Sequence, residues 1–170
     1  RQRQMCIRDR NQSIDLVFLC QPNNPTGQIT PPELVQRLVR RCADCGAVLV
    51  VDECFLDFLQ QRDALTAKPL LQTAPNFVIL KAFTKLYAMA GVRLGYALCA
   101  NTALLAKMQA AGQPWGVSSL AQAAGAAALR ETAYADAVRA LIADQRPKLA
   151  AGLRALGLQV IEGSANYLLF

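Results

Sequence analysis

Four polar side chains follow apolar runs in this sequence and could together do chemistry on a carbonyl compound. Asn24 lies in the segment Asn-Asn-Pro-Thr-Gly, Asp52 ends the run AVLVVD, and Lys85 and Arg93 follow the run FVILKA. An amine that burial partly desolvates has a lowered pKa and is a nucleophile toward aldehydes. We therefore expect Lys85 near the floor of a cavity. An acid as deep as Asp52 needs a cationic or donor partner.

The apolar runs predict the strands that position these residues. DLVFLC, AVLVVD and FVILKA are typical of strands buried on both faces of a mainly parallel sheet, and RLGYALCA extends it. Between the first two, Thr30 as N-cap, Pro31 as first helical residue and Gly46 as C-cap predict a helix. In an open α/β sheet, ligands bind beyond the carboxyl ends of the strands. The four polar side chains should meet at that edge.

The remaining chain predicts Ala-rich helices and a second, smaller unit. Helices are expected near 101–112, with Asn101 as N-cap, and near 117–130 and 132–156; LQVIEG and NYLLF predict short strands. Residues 1–10 show neither helical nor strand periodicity and are interpreted as a non-native segment. We expect residues 11–145 to belong to a large domain and 146–170 to begin a small α/β domain, in a chain that is part of a longer protein.

The sequence contains no His, which excludes Ser-His-Asp triads, Cys-His pairs and His-ligated zinc. An amine, an acid, an amide and a guanidinium on one rim instead match the needs of pyridoxal 5′-phosphate. A lysine forms a Schiff base with its aldehyde, a carboxylate keeps its pyridine nitrogen protonated, and cations bind its phosphate. This cofactor explains how an enzyme can work without His.

The motifs NNPTG, VVDECF and FTKLYAMAGVRLGY, in this order, resemble the fold-type I, class I and II aminotransferase family over residues 13–170. The resemblance implies that Asn24 binds the ring oxygen of the cofactor and that Asp52 pairs with its pyridine nitrogen. It implies further that Lys85 forms the Schiff base and moves the proton. Arg93 would bind the phosphate beside Thr84. Asn166, in ANYLLF, is a weaker candidate for substrate contact.

Two positions depart from the family pattern. Phe55 stands where the family often has a Tyr that donates to the ring oxygen, and Ala82 replaces a Ser or Thr that contacts the phosphate. Within the family, VDECFLDF and QPWGVSSLAQAAG are most similar to the L-threonine-O-3-phosphate decarboxylases of cobalamin synthesis, followed by the histidinol-phosphate aminotransferases. The resemblance implies a small phosphorylated amino substrate and a homodimer. The Arg that binds the substrate carboxylate in this family is expected after residue 170.

Two other classes of function remain as alternatives. Cys42 and Cys45 have the spacing of a thiol redox motif, but with Leu34 and Leu38 they form one apolar helical stripe, which favours core thiols. A basic binding domain would suit the net charge of +6, but residues 1–10 carry +3 of it, with four Arg and one Asp. We therefore expect no nucleic-acid partner, no membrane segment, and a cytoplasmic location.

Overall fold

The described part of the chain is built on one four-stranded sheet. The structure, a computed structural model, describes residues 14–170, so the predicted non-native segment 1–10 lies outside the described residues. The strands are β1 (Leu16–Cys20), β2 (Val48–Asp52), β3 (Phe77–Ala82) and β4 (Gly95–Leu98), in the spatial order β1-β2-β3-β4. The first three are parallel, and β4 is antiparallel to β3. The predicted α/β fold with a mainly parallel sheet is confirmed.

Helices connect and follow the strands. They are α1 (Pro32–Cys45), α2 (Arg62–Leu65), α3 (Thr102–Ala111), α4 (Ser119–Ala128) and α5 (Thr132–Ala155), with short 3-10 turns at Leu56–Phe58, Lys68–Leu70 and Ala90–Val92. The helix α1 forms the crossover that parallel strands require. It ends at Gly46, whose φ of 76° is the left-handed conformation predicted for a C-cap glycine. The Asn101 side chain accepts from the Leu104 backbone N–H, which confirms it as an N-cap.

The predicted start of α1 is wrong by one residue. Pro31 is the N-cap residue, without a side-chain cap bond, and the helix begins at Pro32. The reason is Gln21, whose Nε2 donates to the Thr30 carbonyl oxygen (2.9 Å) and whose Oε1 accepts from the Thr30 N–H (2.8 Å). These two bonds hold the backbone of Thr30 in the loop that precedes the helix. Its buried hydroxyl has no hydrogen-bond partner among residues 14–170.

One face of the sheet packs against α1 to form the main core. Val35, Val39 and Cys42 are the buried residues of the helix. They belong to one cluster with strand residues Leu19, Leu49, Val51, Phe77 and Ile79. The predicted stripe was therefore only partly right. Cys45 is exposed, because the buried line runs through the two valines to Cys42.

The opposite face of the sheet is more open. Phe18, Val50 and Asp52 alternate with the core residues of β1 and β2, and Phe18 is 67% exposed. Asp52 therefore projects from the face that α1 does not cover.

The last part of the chain contains less strand structure than predicted. One isolated bridge, between Ile161 and Leu169, takes the place of the two expected strands. The predicted domain boundary at residues 145–146 falls within α5 and stays a prediction. Among the helices described, none is long and apolar enough to cross a membrane.

Candidate active site

The sheet brings the predicted site residues to a single edge. Asp52 is the last residue of β2, Asn24 follows β1, and Lys85 follows β3. Because β4 is antiparallel to β3 and Gly95 pairs with Ala82, the start of β4 lies at the same edge. Arg93, two residues before that strand, is therefore placed beside the carboxyl ends of the parallel strands.

Asp52 is half-buried and accepts bonds from two neighbours. Its Oδ1 accepts from the Cys54 backbone N–H at 2.9 Å, and its Oδ2 lies 3.9 Å from the Sγ of Cys20, its register partner on β1. Burial, followed by the hydrogen bond and the charge of Asp52, raises the pKa of Cys54 to about 12. The Cys54 thiol therefore stays neutral beside the carboxylate. The expected donor partners of the acid are present.

A tight turn presents Asn24. The Gly27 N–H donates to the Asn23 carbonyl oxygen (2.6 Å), and the Thr26 hydroxyl donates to Asn23 Oδ1 (2.8 Å). Gly27 has a φ of 69°, which favours glycine. Asn24 is exposed in this turn, so its carboxamide is accessible to a ligand.

Lys85 lies on the surface of the site and not on a cavity floor. The residue is exposed, and its Nζ is 5.2 Å from the centroid of the Phe55 ring. The expected burial of this amine is wrong, because the chain leaves β3 in a turn that directs Lys85 outward while Leu86 is buried. Within residues 14–170, Lys85 forms no ion pair. Its amine is accessible to an aldehyde.

Arg93, Thr84 and Asn166 are less closely connected to the other candidates. Arg93 is exposed, and its Nη1 donates to the Ala90 carbonyl oxygen at 3.3 Å. Its φ of 56° is unusual for a residue with a side chain. Thr84 is half-buried and Asn166 is exposed. In the described part of the chain, no hydrogen bond or ion pair joins these three residues to Asp52 or Lys85.

Tyr167 contacts the candidate site, although the sequence reasoning named only its neighbour Asn166. Its hydroxyl donates to the Asn23 carbonyl oxygen at 2.9 Å, and its ring meets Phe55 edge-on at 5.0 Å between centroids. Burial, then the charges of Cys20 and Asp52, raise the pKa of Tyr167 to about 12. Its position next to Asn166 was the one available indication.

A buried ionic cluster lies behind the site. Lys81 Nζ is 3.1 Å from Glu53 Oε2 and 2.8 Å from Asp57 Oδ1, and the Lys81 and Glu53 side chains are 2% and 0% exposed. Glu53 also accepts from the Thr66 hydroxyl (2.8 Å) and the Ala67 N–H (2.7 Å). Both acids pair with the Lys81 amine, which is buried between them. Lys85, and not Lys81, is therefore the accessible amine at this edge.

Comparison with known proteins decides the family. Residues 6–170 match the family model for aminotransferase class I and II. The chain belongs to this family. The resemblance of NNPTG, VVDECF and FTKLYAMAGVRLGY is thereby confirmed for the family as a whole, while the roles of individual residues remain predictions.

Relatives of two kinds match most of this class I and II aminotransferase chain. The threonine-phosphate decarboxylase of Salmonella typhimurium is 36% identical over 157 residues, covering 92% of this chain and 43% of that protein. A histidinol-phosphate aminotransferase of Symbiobacterium thermophilum is 37% identical over 155 residues, covering 91% and 42%. The chain thus spans less than half the length of these relatives.

A solved structure shows the same fold. The histidinol-phosphate aminotransferase from Sinorhizobium meliloti, in complex with pyridoxal-5′-phosphate, aligns with a TM-score of 0.84 at 29% identity. The alignment covers 96% of this chain and 43% of that structure. The fold-type I architecture inferred from the motifs is confirmed by this similarity.

Proposed function

We propose that the protein containing this chain is a pyridoxal-phosphate enzyme that acts on a small phosphorylated amino compound, and specifically an L-threonine-O-3-phosphate decarboxylase. The observation that carries this proposal is the arrangement at the sheet edge. An accessible amine (Lys85), an acid with neutral donors around it (Asp52) and an exposed amide (Asn24) follow three neighbouring parallel strands. The 36% identical Salmonella decarboxylase supports the choice of reaction.

The side chains present suit this cofactor. In the proposal, Lys85 binds the aldehyde, Asp52 pairs with the pyridine nitrogen, and Asn24 donates to the ring oxygen. Arg93 and the Thr84 hydroxyl supply a cation and a donor for the phosphate. When bound, pyridoxal phosphate accepts the electron pair of the bond broken at the substrate α-carbon. This chain's own contribution is to orient the ring and to supply the Lys85 amine as proton carrier.

Histidinol-phosphate aminotransferase is the second candidate. The Symbiobacterium relative, 37% identical, and the S. meliloti structure favour it. The two reactions differ in which bond at the α-carbon stands perpendicular to the cofactor ring: the bond to the carboxylate for decarboxylation, or the bond to hydrogen for transamination. The residues that orient the substrate decide between them.

The products formed by the full-length protein test this choice. The protein, loaded with pyridoxal phosphate, is incubated with threonine phosphate and, separately, with histidinol phosphate and 2-oxoglutarate. We expect carbon dioxide from the first mixture, and no product from Lys85→Ala in either. Glutamate from the second mixture, without carbon dioxide from the first, would favour the aminotransferase. A cofactor-loaded protein that turns over neither compound would contradict the proposed substrate class.

We further propose a homodimer in the cytoplasm, without nucleic-acid or membrane partners. Two exposed apolar side chains support a subunit contact: Trp115, 98% exposed on the connection into α4, and Leu120, 82% exposed in the first turn of α4.

A further inference from the structure

The segment 163–167, here called the C-terminal segment, lies directly against the turn that presents Asn24. The Ser164 N–H donates to the Gly27 carbonyl oxygen at 2.7 Å. Gly163 lies so close that a Cβ atom there would be 2.4 Å from the Thr26 carbonyl oxygen. Ala165 is fully buried. The backbone of the segment is therefore packed directly against the backbone of the turn.

Tyr167 adds a side-chain contact that reaches both halves of the candidate site. Its hydroxyl donates to the carbonyl oxygen of Asn23, the residue directly before Asn24, at 2.9 Å. Its ring packs edge-to-face with Phe55 at 5.0 Å between centroids, and the Lys85 amine lies over the same Phe55 ring, 5.2 Å from its centroid. One side chain thus contacts the turn and the ring beside the amine.

The Tyr167 hydroxyl remains a hydrogen-bond donor over a wide pH range. Since the pKa of Tyr167 is raised to about 12 by burial and by the neighbouring Cys20 and Asp52, the hydroxyl stays protonated at every pH used to assay such an enzyme. This hydroxyl is already used on the Asn23 carbonyl oxygen. It therefore does not replace the hydroxyl that Phe55 lacks, and acts instead through the turn.

We propose that Tyr167 is a positioning residue for the cofactor: its hydroxyl fixes the turn that presents Asn24, and its ring fixes Phe55 beside Lys85. The inference rests on the proposed function, because it requires pyridoxal phosphate bound at Lys85. It adds to the site a residue that lies outside NNPTG, VVDECF and FTKLYAMAGVRLGY. Asn24 is the group through which it acts.

The test is Tyr167→Phe in the full-length protein loaded with pyridoxal phosphate, which removes one hydroxyl and keeps the ring. The midpoint pH of the absorbance change of the bound cofactor is measured. We expect it to rise by about half to one pH unit, because a loosened Asn24 stabilises the ring oxygen less; this corresponds to the loss of one hydrogen bond. The dissociation constant of the cofactor should be about three- to ten-fold higher in Tyr167→Phe than in the wild type.

A double-mutant cycle shows whether Tyr167 acts through Asn24. Asn24→Ala should raise the midpoint by itself, and adding Tyr167→Phe should raise it no further. Tyr134→Phe is the matched control, because Tyr134 is a partly exposed tyrosine on α5, and we expect it to leave the midpoint unchanged. Additive shifts would overturn the proposal.

An unchanged midpoint in Tyr167→Phe would also overturn it, even if the variant melts at a lower temperature, since that result means a structural role alone. Should Tyr167→Phe fail to fold, Gly163→Ala serves as a second variant, because its Cβ must displace the C-terminal segment from the turn. We expect the same rise in the midpoint pH, and an unchanged midpoint would again overturn the proposal. If the wild type binds the cofactor at Lys85 and these variants behave like it, only this inference fails; if the wild type binds none, the proposed function fails with it.

Discussion

At the scale of single residues, the site depends on an acid placed where a buried strand reaches the sheet edge. Asp52 is half-buried, and its two oxygens face a backbone N–H and a thiol. Neither neighbour is a cation, and within residues 14–170 Asp52 forms no ion pair, so the carboxylate is free to pair with a cationic ligand. This arrangement suits a group that must pair with a protonated ring nitrogen.

We predict that Asp52→Asn in the full-length protein lowers turnover by about a hundred-fold or more, because a neutral amide no longer stabilises a positive ring nitrogen. Cofactor affinity should change by less than about ten-fold, since the covalent bond and the phosphate contacts remain. Rate measurements and cofactor titration distinguish the two effects. Asp144→Asn, at an exposed position on α5, is the control and should change neither turnover nor cofactor affinity. Wild-type turnover in Asp52→Asn would remove this residue from its role.

Residue type and spacing were enough to place Asp52, Lys85 and Asn24 at one edge of the sheet, since Asp52 ends β2 and the other two follow β3 and β1. Their roles stay predictions. Residue type and spacing were not enough for Tyr167, whose contact with Asn23 joins positions 144 residues apart. They also failed on the exposure of Lys85, because a strand pattern does not show which way the following turn directs a side chain. Contacts of this kind depend on how the chain returns on itself.

At the scale of elements, a buried ionic cluster connects β3 to the segment after β2. Lys81 projects from β3 between Glu53 and Asp57, and the Arg139 Nε of α5 donates to the Asp57 carbonyl oxygen at 2.8 Å. Burial alone would lower the pKa of Lys81, but the charges and hydrogen bonds of Asp57 and Glu53 raise it above its usual value. The cluster fixes the elements that precede and follow the site.

We predict that Lys81→Met lowers the free energy of unfolding by about 3–5 kcal/mol at pH 7, because it leaves the buried Glu53 without its cation. Urea unfolding measures the change. Lys148→Met, at a side chain that is 64% exposed and pairs with Asp144, is the matched control and should cost less than about 1 kcal/mol. Equal losses in the two variants would contradict a buried ionic link.

The stability difference between wild type and Lys81→Met should also depend on pH, with a defined sign. A pKa raised by folding adds stability that is complete below the unfolded value of about 10.4 and is lost as pH rises through the folded value. The difference between wild type and Lys81→Met should therefore be constant from about pH 7 to 10 and shrink above that range. A difference that grows in alkaline solution would be inconsistent with this cluster.

The elements themselves were largely predictable, because long apolar runs and Ala-rich segments leave few alternatives. The start of α1 was not, since Gln21 binds Thr30 from across the loop. The direction of β4 was not either, because an apolar run does not state whether a strand is parallel or antiparallel to its neighbour. Local patterns thus fix where elements lie more securely than how they are joined.

At the scale of the whole molecule, the sheet presents two different faces. α1 covers one face, whereas Phe18 and Leu16 remain 67% and 48% exposed on the other. The chain also spans less than half the length of the relatives it matches. The functional experiments therefore use the full-length protein, in which any other part of the protein that covers this face of the sheet is present.

The most direct measurement is to load the full-length protein with pyridoxal phosphate, reduce it with borohydride, and locate the modified lysine by peptide mass spectrometry. The chain offers an internal control, because Lys81 lies four residues before Lys85 and its amine is buried between two carboxylates. We predict one reduced adduct, on Lys85, which is lost in Lys85→Ala. An adduct on another lysine, or no adduct at all, would contradict the account.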